Sequence, residues 1–539
     1  MRKIERLFIT TSLFAVLAVT GATVWKYTHQ ENTNKTLTST PSNKFGDFLA
    51  AQHAIYVNDF ETAINLTQSL KDTQYTIVHN TKIMSDFLSG RIPTDAKLLK
   101  NEKTLPAQFI YDAYLLHNNN WKELHNRHKT DESALISPFR IWSAIANDWR
   151  TNTFKFIEKL PTNESWRAFI RGQIYAENGQ FDDAAKHFEQ VTPDFMNIND
   201  YLYLMSFYTH HDMQDKADTL KQKFTSKPSG MFLIGYDNIP DWSVYSGYKN
   251  ALAFSLLQNV SHTQILMYSD LAMLMLRFAQ ITAPDFAKNI DAIDYYLGQF
   301  FYTNIGDYQK HFDKIEPKSP FYPFVALRNA EKTNDIAKLE SSLKEHPMFV
   351  PAINKIVGHH IKNGNKRDAL RTINNAMKHK SLDESSRAFF AKIRARIYYS
   401  FGDFDDAQSD IKFASDTMPV DKEILGLQAK IWAAQNREIE NAYDYAMTLV
   451  AKNPSDIAAW DVLGRVVAVR EGAVAALEVL ERVGEVSQTH SPLYLHLGDL
   501  YIEVGEYENA RKAYMRAIDL SDDGLIVVPE IERKIRKLK

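Results

Sequence analysis

Residues 494–514, YLHLGDLYIEVGEYENARKAY, repeat the pattern of residues 460–480, WDVLGRVVAVREGAVAALEVL, 34 positions upstream. Four positions match at this spacing, and the matched pairs are Trp460 and Tyr494, Leu463 and Leu497, Gly464 and Gly498, and Ala476 and Ala510. A period of 34 residues is typical of a repeat built from two antiparallel helices. The sequence therefore predicts an all-α protein in which helical hairpins stack on one another.

A second marker recurs at the turn inside each hairpin, where an aromatic residue stands three positions before an alanine. The pairs are Phe60 and Ala63, Phe181 and Ala184, Phe404 and Ala407, and Tyr507 and Ala510. Gly179, Gly402 and Gly505 precede three of these aromatic residues by two positions, so we expect them to end the first helix in a left-handed conformation. A fifth copy at residues 306–308 carries His311 in place of alanine, which predicts a hairpin that is packed differently.

These residues connect the chain to a known repeat. The spacing Tyr494-x2-Leu497-Gly498-x2-Tyr501 followed by Ala510-x3-Tyr514 resembles the tetratricopeptide repeat. The resemblance implies an α-solenoid, a right-handed superhelix of about twelve or thirteen hairpins. It also implies that the first helix of each hairpin lines a concave groove and that the groove binds proteins without catalysis.

The N-terminus predicts a membrane anchor. Arg2, Lys3 and Arg6 precede an apolar stretch from residue 7 to Trp25, which is long enough to cross a bilayer as a helix. The basic flank favours a cytoplasmic N-terminus and a body on the outer side of the cytoplasmic membrane, the periplasm or exterior. Small residues at 20–22 leave open the alternative that a signal peptidase removes the segment and the body is exported.

Composition and spacing divide the chain into six parts. They are the anchor at 1–25, a flexible polar linker at 26–44, repeats at 45–229, aromatic-rich degenerate hairpins at 230–330, repeats at 331–526 that are clearest at 457–524, and a C-terminal capping helix at 527–539. The apolar stretch 265–281 resembles a second membrane span. We expect instead a central solenoid helix that turns Asp270 and Arg277 to solvent, because both charges would be costly inside a bilayer.

The sequence favours no catalytic, cofactor, metal or nucleotide site. The chain has no cysteine, which excludes disulfides and cysteine-based metal sites. The pairs at 210–211 and 359–360 point apart on a helix and are expected to be solvated, while His125 and His128 have ligand spacing but no visible third ligand. The 63 Lys and Arg residues are balanced by 66 Asp and Glu residues, so nucleic acid is not an expected partner.

The resemblance to the repeat family implies which residues face the groove. Transferred onto this sequence, the candidate partner-binding residues are Gln173, Lys392, Arg396, Tyr399, Asp461, Arg465, Asp499 and Glu503. The favoured function is a scaffold for proteins of the bacterial cell envelope. One alternative is recognition of an envelope glycan or lipid intermediate by the aromatic segment around Trp242, Tyr245 and Tyr248, and another is an enzyme that uses scattered residues.

Overall fold

The computed structural model describes residues 44–68, 76–93, 95–263, 270–304, 307–333, 335–486 and 489–538. All regular secondary structure in these ranges is helical, as the repeat pattern predicts. The anchor at 1–25 lies outside the described residues, as does all of the linker except its last residue. None of the helices in the described part combines the length and apolar character that a membrane span requires.

The described residues up to His210 contain ten α-helices. They are α1 (Lys44–Tyr56), α2 (Phe60–Gln68), α3 (Thr76–Leu88), α4 (Leu105–His117), α5 (Trp121–His128), α6 (Ser137–Ala146), α7 (Arg150–Lys159), α8 (Glu164–Glu177), α9 (Phe181–Phe188) and α10 (Ile198–His210). The next helices are α11 (Gln214–Thr225), α12 (Tyr248–His262), α13 (Asp270–Thr282), α14 (Pro284–Asn289), α15 (Ala292–Thr303) and α16 (Gln309–Phe312).

The remaining helices carry the clearest repeats. They are α17 (Tyr322–Thr333), α18 (Ile336–Ser342), α19 (Val350–Lys362), α20 (Lys366–Met377), α21 (Glu384–Ser400), α22 (Phe404–Thr417), α23 (Lys422–Ala434), α24 (Ile439–Lys452), α25 (Ile457–Glu471), α26 (Ala473–Val486), α27 (Ser491–Glu503), α28 (Tyr507–Asp519) and α29 (Val528–Lys537). Short 3-10 helices occupy Ala96–Leu99, Met231–Leu233, Trp242–Val244 and Ser521–Asp523.

The chain forms two compact units. The first consists of the described residues up to His210 together with those in 240–314, and the second consists of the described residues in 211–239 together with those in 315–538. The N-terminal unit therefore contains α1 to α10 and α12 to α16. The C-terminal unit contains α11 and α17 to α29.

The turn marker in the sequence has the predicted backbone geometry. Gly179, Gly402 and Gly505 adopt φ angles of 72°, 80° and 82°, in the left-handed region that glycine enters without steric cost. In the first hairpin, Asn58 takes the same role with φ of 60°. The aromatic residue that follows each of these turns begins the second helix of its hairpin.

In several hairpins, a glycine of the first helix makes room for a side chain of the second helix. A Cβ atom added to Gly498 would lie 2.4 Å from the ring of Tyr514, and one added to Gly464 would lie 2.4 Å from Leu480. The N-terminal unit repeats this arrangement with Gly172 and Phe188, again at 2.4 Å. The glycine thus admits a large side chain from the partner helix between the two backbones.

Tyrosines join neighbouring hairpins. The Tyr494 hydroxyl donates to the backbone oxygen of Gly484 at 2.8 Å, and the Tyr501 hydroxyl donates to Glu481 at 2.8 Å. Both bonds run from α27 back to α26, the second helix of the preceding hairpin. Each such ring also buries apolar area that a single hairpin cannot bury alone.

Helices α12 and α13 form the interior of the N-terminal unit. Helix α12 contacts α6 and α10, and α13 contacts α3 and α4. The Trp142 indole donates to the Ser255 hydroxyl at 2.9 Å, and the Phe278 ring packs edge-on against Phe109 and Phe139. The described part of the apolar run, Asp270–Thr282, is therefore a central helix of the N-terminal unit.

The prediction that Arg277 faces solvent is wrong, while Asp270 is exposed as expected. Arg277 is 5% exposed, and its guanidinium donates to Gln280 Oε1 at 2.7 Å. Burial lowers the pKa of Arg277 to about 10, although the Asp294 carboxylate opposes the shift. Residues 272–279 of the helix are all buried, so Arg277 has no solvent face to occupy.

The hairpin that carries His311 is packed differently, as predicted. Its second helix, α16, is only four residues long. His311 is buried at 3% exposure, its Nδ1 lies 2.6 Å from Asp294 Oδ1, and its ring stacks on Phe301. A polar ring in the small-residue position thus needs a carboxylate partner on the facing helix.

Five consecutive hairpins, from α19 to α28, stack in the C-terminal unit. The segment after α28 connects the last hairpin with the first. Lys362 on α19 pairs with Asp522 at 2.6 Å, and the backbones of Gly358 and Gly524 touch. Helix α29 then packs on α28 through Ile531, as a capping helix would. The C-terminal segment therefore crosses one face of the stack before it caps the end.

Candidate functional site: a basic cavity in the C-terminal repeats

A cavity of about 320 Å³ lies between the first helices of four repeats and the C-terminal segment. Its walls are built by α21, α23 and α25, by the start of α27, and by residues 525–534. The lining residues are Arg396, Tyr399, Ser400, Gly402, Phe404, Leu427, Lys430, Arg465, His490, Pro492, Leu495, Leu525, Ile526, Val527, Glu530, Ile531 and Lys534.

Three cations stand at corresponding positions of successive repeats. Arg396, Lys430 and Arg465 are separated by 34 and 35 residues, so each occupies the same place on its first helix. The periodicity of the repeat therefore aligns their side chains, and all three line the cavity. Asp499 is the next member of the series, 34 residues beyond Arg465.

Asp461 neutralises one of these cations from beneath the cavity. It is 1% exposed, accepts a hydrogen bond from Arg465 Nε at 3.2 Å, and lies 3.4 Å from His496 Nδ1. Burial opposes its ionisation, but the charge of Arg465 holds the pKa of Asp461 far below its usual range. Arg465 also donates to the backbone oxygen of Pro492 at 3.2 Å.

The other two aligned cations have no carboxylate partner. Among the described residues, no Asp or Glu oxygen lies within 4.0 Å of Arg396 or Lys430. Arg396 donates to Asn354 Oδ1 at 3.1 Å, and its buried Nε has no hydrogen-bond partner. The Lys430 ammonium lies 5.4 Å from the centre of the Tyr399 ring.

The pKa values of Lys430 and Arg396 are both lowered by this environment. Burial lowers the pKa of Lys430, the Asp461 carboxylate opposes the shift, and Arg465 and Arg396 add to it. Burial likewise lowers the pKa of Arg396, although Glu423 opposes the shift. The cavity wall thus concentrates positive charge that the protein itself compensates only in part.

The opposite wall of the cavity is mainly apolar. Leu525, Ile526, Val527 and Ile531 come from the C-terminal segment and face Leu495 and Leu427 on the first helices. Two charged residues of this segment also line the cavity: Glu530, which pairs with Arg533 at 3.6 Å, and Lys534, which pairs with Asp499. The site therefore has a cationic side and an apolar side.

The structure brings together three of the predicted groove residues, Arg396, Tyr399 and Arg465, around this cavity, with Asp461 beneath them. Asp499 lies beside the cavity and accepts a 2.6 Å hydrogen bond from Tyr514.

The other three predicted groove residues lie elsewhere. Lys392 is 8% exposed and forms ion pairs with Asp421 at 2.9 Å and Glu423 at 2.8 Å. Glu503 is exposed at the end of α27. Gln173 is fully buried in the N-terminal unit.

Lys430, His490 and the C-terminal segment are absent from the sequence-based set. The repeat period was a signal for Lys430, since 34 and 35 residues separate it from its neighbours in the series. The repeat that carries it has Ala429 where the next repeat has Gly464, so its motif is hard to recognise. No sequence signal places residues 525–534 against the cavity, because they lie outside the repeats.

The aromatic segment proposed to bind a glycan or lipid is part of the core. Trp242 is 6% exposed and Tyr245 is 1% exposed. Both rings pack edge-on against Tyr203, and Tyr248 packs against Trp121. Buried rings cannot stack on a sugar, so this segment does not support the alternative function.

The histidines behave as structural residues. His128 is bonded to Asp112 at 2.8 Å and to Asp131 at 2.6 Å. The prediction that the pair at 359–360 is solvated is wrong for His360, which is 8% exposed and lies 3.2 Å from Glu340. The described residues contain no cluster of three potential metal ligands.

Stacked two-helix hairpins, several of which admit a large side chain beside a glycine of the first helix, define an α-helical repeat protein. The family model of the tetratricopeptide repeat matches residues 491–523, which cover α27 and α28. The match shows this repeat in one hairpin of the chain. No curated protein sequence matches it.

Several solved structures are similar to this chain. A tetratricopeptide repeat protein from Parabacteroides merdae has 13% identity and a TM-score of 0.30, and the alignment covers 54% of this chain and 98% of that one. The APC/C hetero-tetramer Cut9-Hcn1 has 13% identity, a TM-score of 0.31 and coverage of 90% and 96%. Yeast Tom70 has 13% identity, a TM-score of 0.25 and coverage of 92% and 96%. Alignments of this quality carry no information on ligands or partners.

Proposed function

We propose that this protein is a non-catalytic scaffold that binds other proteins of the bacterial cell envelope through the first helices of its repeats. The observation that supports the proposal is the stack of five hairpins from α19 to α28, whose last member matches the tetratricopeptide repeat. Repeats of this kind present a row of first helices as an extended binding surface.

The partner would contact exposed side chains of the first helices rather than the residues that line the cavity. Lys355 on α19, Glu384 on α21 and Glu503 on α27 are exposed and belong to three different repeats. Tyr399 and Arg465 face the cavity beneath the C-terminal segment, so they are poorly placed to touch a large partner.

Site-specific photocrosslinking in intact cells tests this proposal. A photoreactive side chain at Lys355, Glu384 or Glu503 is expected to capture the same one or two proteins from each position. The matched controls are Phe413, Met447 and Met515, which are exposed on the second helices α22, α24 and α28. Recurrent adducts from the control positions alone would place the binding surface on the other helices, and no protein adduct from any position would contradict the scaffold function.

We also propose that residues 1–25 hold the repeats at the outer face of the cytoplasmic membrane. The basic flank and the apolar run in the sequence are the basis for this proposal. Fractionation should recover the full chain with integral membrane proteins, and added protease should digest the repeats in spheroplasts but not in intact cells. A mature chain that begins near residue 23 would instead indicate cleavage and export.

A further inference from the structure

The basic cavity of the C-terminal unit has an excess of positive charge, which an anionic ligand would balance. Arg396 and Lys430 line it without a carboxylate partner, and Arg465 adds a third cation whose charge is balanced by Asp461. A buried charge without a partner costs free energy, since the protein interior solvates it less well than water does. An anion placed between these side chains would supply the missing counter-charge.

The repeat geometry holds the three cations in fixed relative positions. They occupy one position on three successive first helices, so the spacing of the helices fixes the spacing of the charges. The buried Nε of Arg396 lacks a hydrogen-bond partner, and the Lys430 ammonium is held near the Tyr399 ring. Donors that are already in place lose little conformational entropy when they bind an anion.

The rest of the lining limits what kind of anion fits. The cavity holds about 320 Å³, which is at the small end of the range for small-molecule sites. Leu495 on α27 and Leu525 of the C-terminal segment are only partly buried and add apolar surface to the lining. Free phosphate would leave this surface without a partner, whereas a molecule with an anionic head and an apolar body would contact both walls.

We propose that the cavity binds a small organic anion whose carboxylate or phosphate head is held by Arg396, Lys430 and Arg465, and whose apolar body lies against the C-terminal segment. The site is separate from the exposed surface proposed to bind proteins. Because residues 525–534 form one wall, an occupied cavity would also stabilise the C-terminal segment on the stack.

Calorimetry with four defined probes tests the proposal on the full-length protein. Octanoate and octyl phosphate share an apolar body and differ in the head group, octanamide lacks the charge, and inorganic phosphate lacks the apolar body. We expect one or both amphiphilic anions to bind, and octanamide and inorganic phosphate to bind at least tenfold more weakly. The stronger of the two amphiphilic anions identifies the head group.

Lys430→Met separates a ligand site from a structural role. The variant removes the unpaired charge and keeps a side chain of similar length, so we expect a higher melting temperature without ligand. The same variant should weaken binding of the anion by about ten- to a hundredfold, as charge-assisted hydrogen bonds are lost. A lysine with a purely structural role would not show opposite changes in stability and binding.

Lys412→Met is the matched control, because Lys412 is exposed on α22 outside the cavity. It should leave both stability and binding unchanged. Equal binding of octanamide and octanoate would show an apolar cavity with no role for the cations, and the absence of binding by both anions would overturn the proposal. Neither result affects the crosslinking experiment, so the two proposals fail independently.

Discussion

A pair of glycine-to-alanine substitutions distinguishes the packing role of glycine from its backbone role. Gly498 on α27 and Gly426 on α23 both lie inside first helices. A methyl group at Gly498 would lie 2.4 Å from two ring carbons of Tyr514. A methyl group at Gly426 would meet Leu449 and Val462 at 3.5 Å, which is ordinary van der Waals contact.

The two substitutions should therefore change stability in opposite directions. Alanine is favoured over glycine inside a helix by about 1 kcal/mol, so Gly426→Ala should stabilise the unit by about 0.5–1 kcal/mol. At Gly498 the same gain is opposed by overpacking, which costs about 1–3 kcal/mol. Tyr514 cannot retreat easily, because it is 1% exposed and its hydroxyl is bonded to Asp499 at 2.6 Å. We expect Gly498→Ala to destabilise α27 and α28 by about 1–2 kcal/mol in net terms.

Hydrogen exchange followed by mass spectrometry is the appropriate assay, since a chain with two compact units need not unfold in one step. Peptides from α27 and α28 should exchange faster in Gly498→Ala. The double variant with Tyr514→Leu should show a coupling of about 1 kcal/mol or more, because the smaller side chain relieves the overlap. Equal protection of Gly498→Ala and Gly426→Ala would refute the packing argument.

Three further predictions concern buried ionisable groups. Burial disfavours the charge on His128, but Asp112 and Asp131 outweigh it and raise its pKa to about 9. Protonated His128 thus contributes roughly 3 kcal/mol to the free energy of unfolding, and this contribution is fully present below pH 6.5 and lost as the pH rises through 9. The melting temperatures of wild type and Asp131→Asn, measured side by side between pH 6 and 10, should converge at the alkaline end.

Burial raises the pKa of Glu177 to about 7, although the Gly247 N–H opposes the shift. Ionisation of Glu177 should therefore lower stability as the pH rises from 4.5 through 7, and Glu177→Gln, which keeps an acceptor for Gly247, should raise the melting temperature at pH 8 but not at pH 4. Asp461→Asn leaves the largely buried Arg465 guanidinium without its carboxylate partner and should cost about 3–5 kcal/mol, measured by exchange in α25 and α27. An unchanged exchange rate would show that Arg465 is solvated.

The C-terminal segment changes how the groove must be understood. The repeat pattern alone suggests that Tyr399 and Arg465 are open to a partner. In the C-terminal unit, residues 525–534 cover these side chains and create a cavity of small-molecule size. The proposed protein-binding surface and the proposed anion site therefore lie on different parts of the first helices.

The sequence alone determined the repeat. The 34-residue period, the glycine of each turn and the small residue of each hairpin are local features, and α27 and α28 have the predicted form because helix and turn formation depend on nearby residues. The resemblance to the repeat family further implied that Arg396, Tyr399, Asp461 and Arg465 lie on one face.

Which charges are paired and which surfaces are covered depends on the tertiary structure. Arg277 is buried because helices from distant parts of the chain surround α13, and Lys392 is neutralised by residues of the next repeat. The C-terminal segment reaches α19 from more than 150 residues away, as the Lys362–Asp522 ion pair shows. Contacts at such separations depend on how all intervening hairpins stack. The combined effect of these stacking angles cannot be predicted from any local pattern of residues.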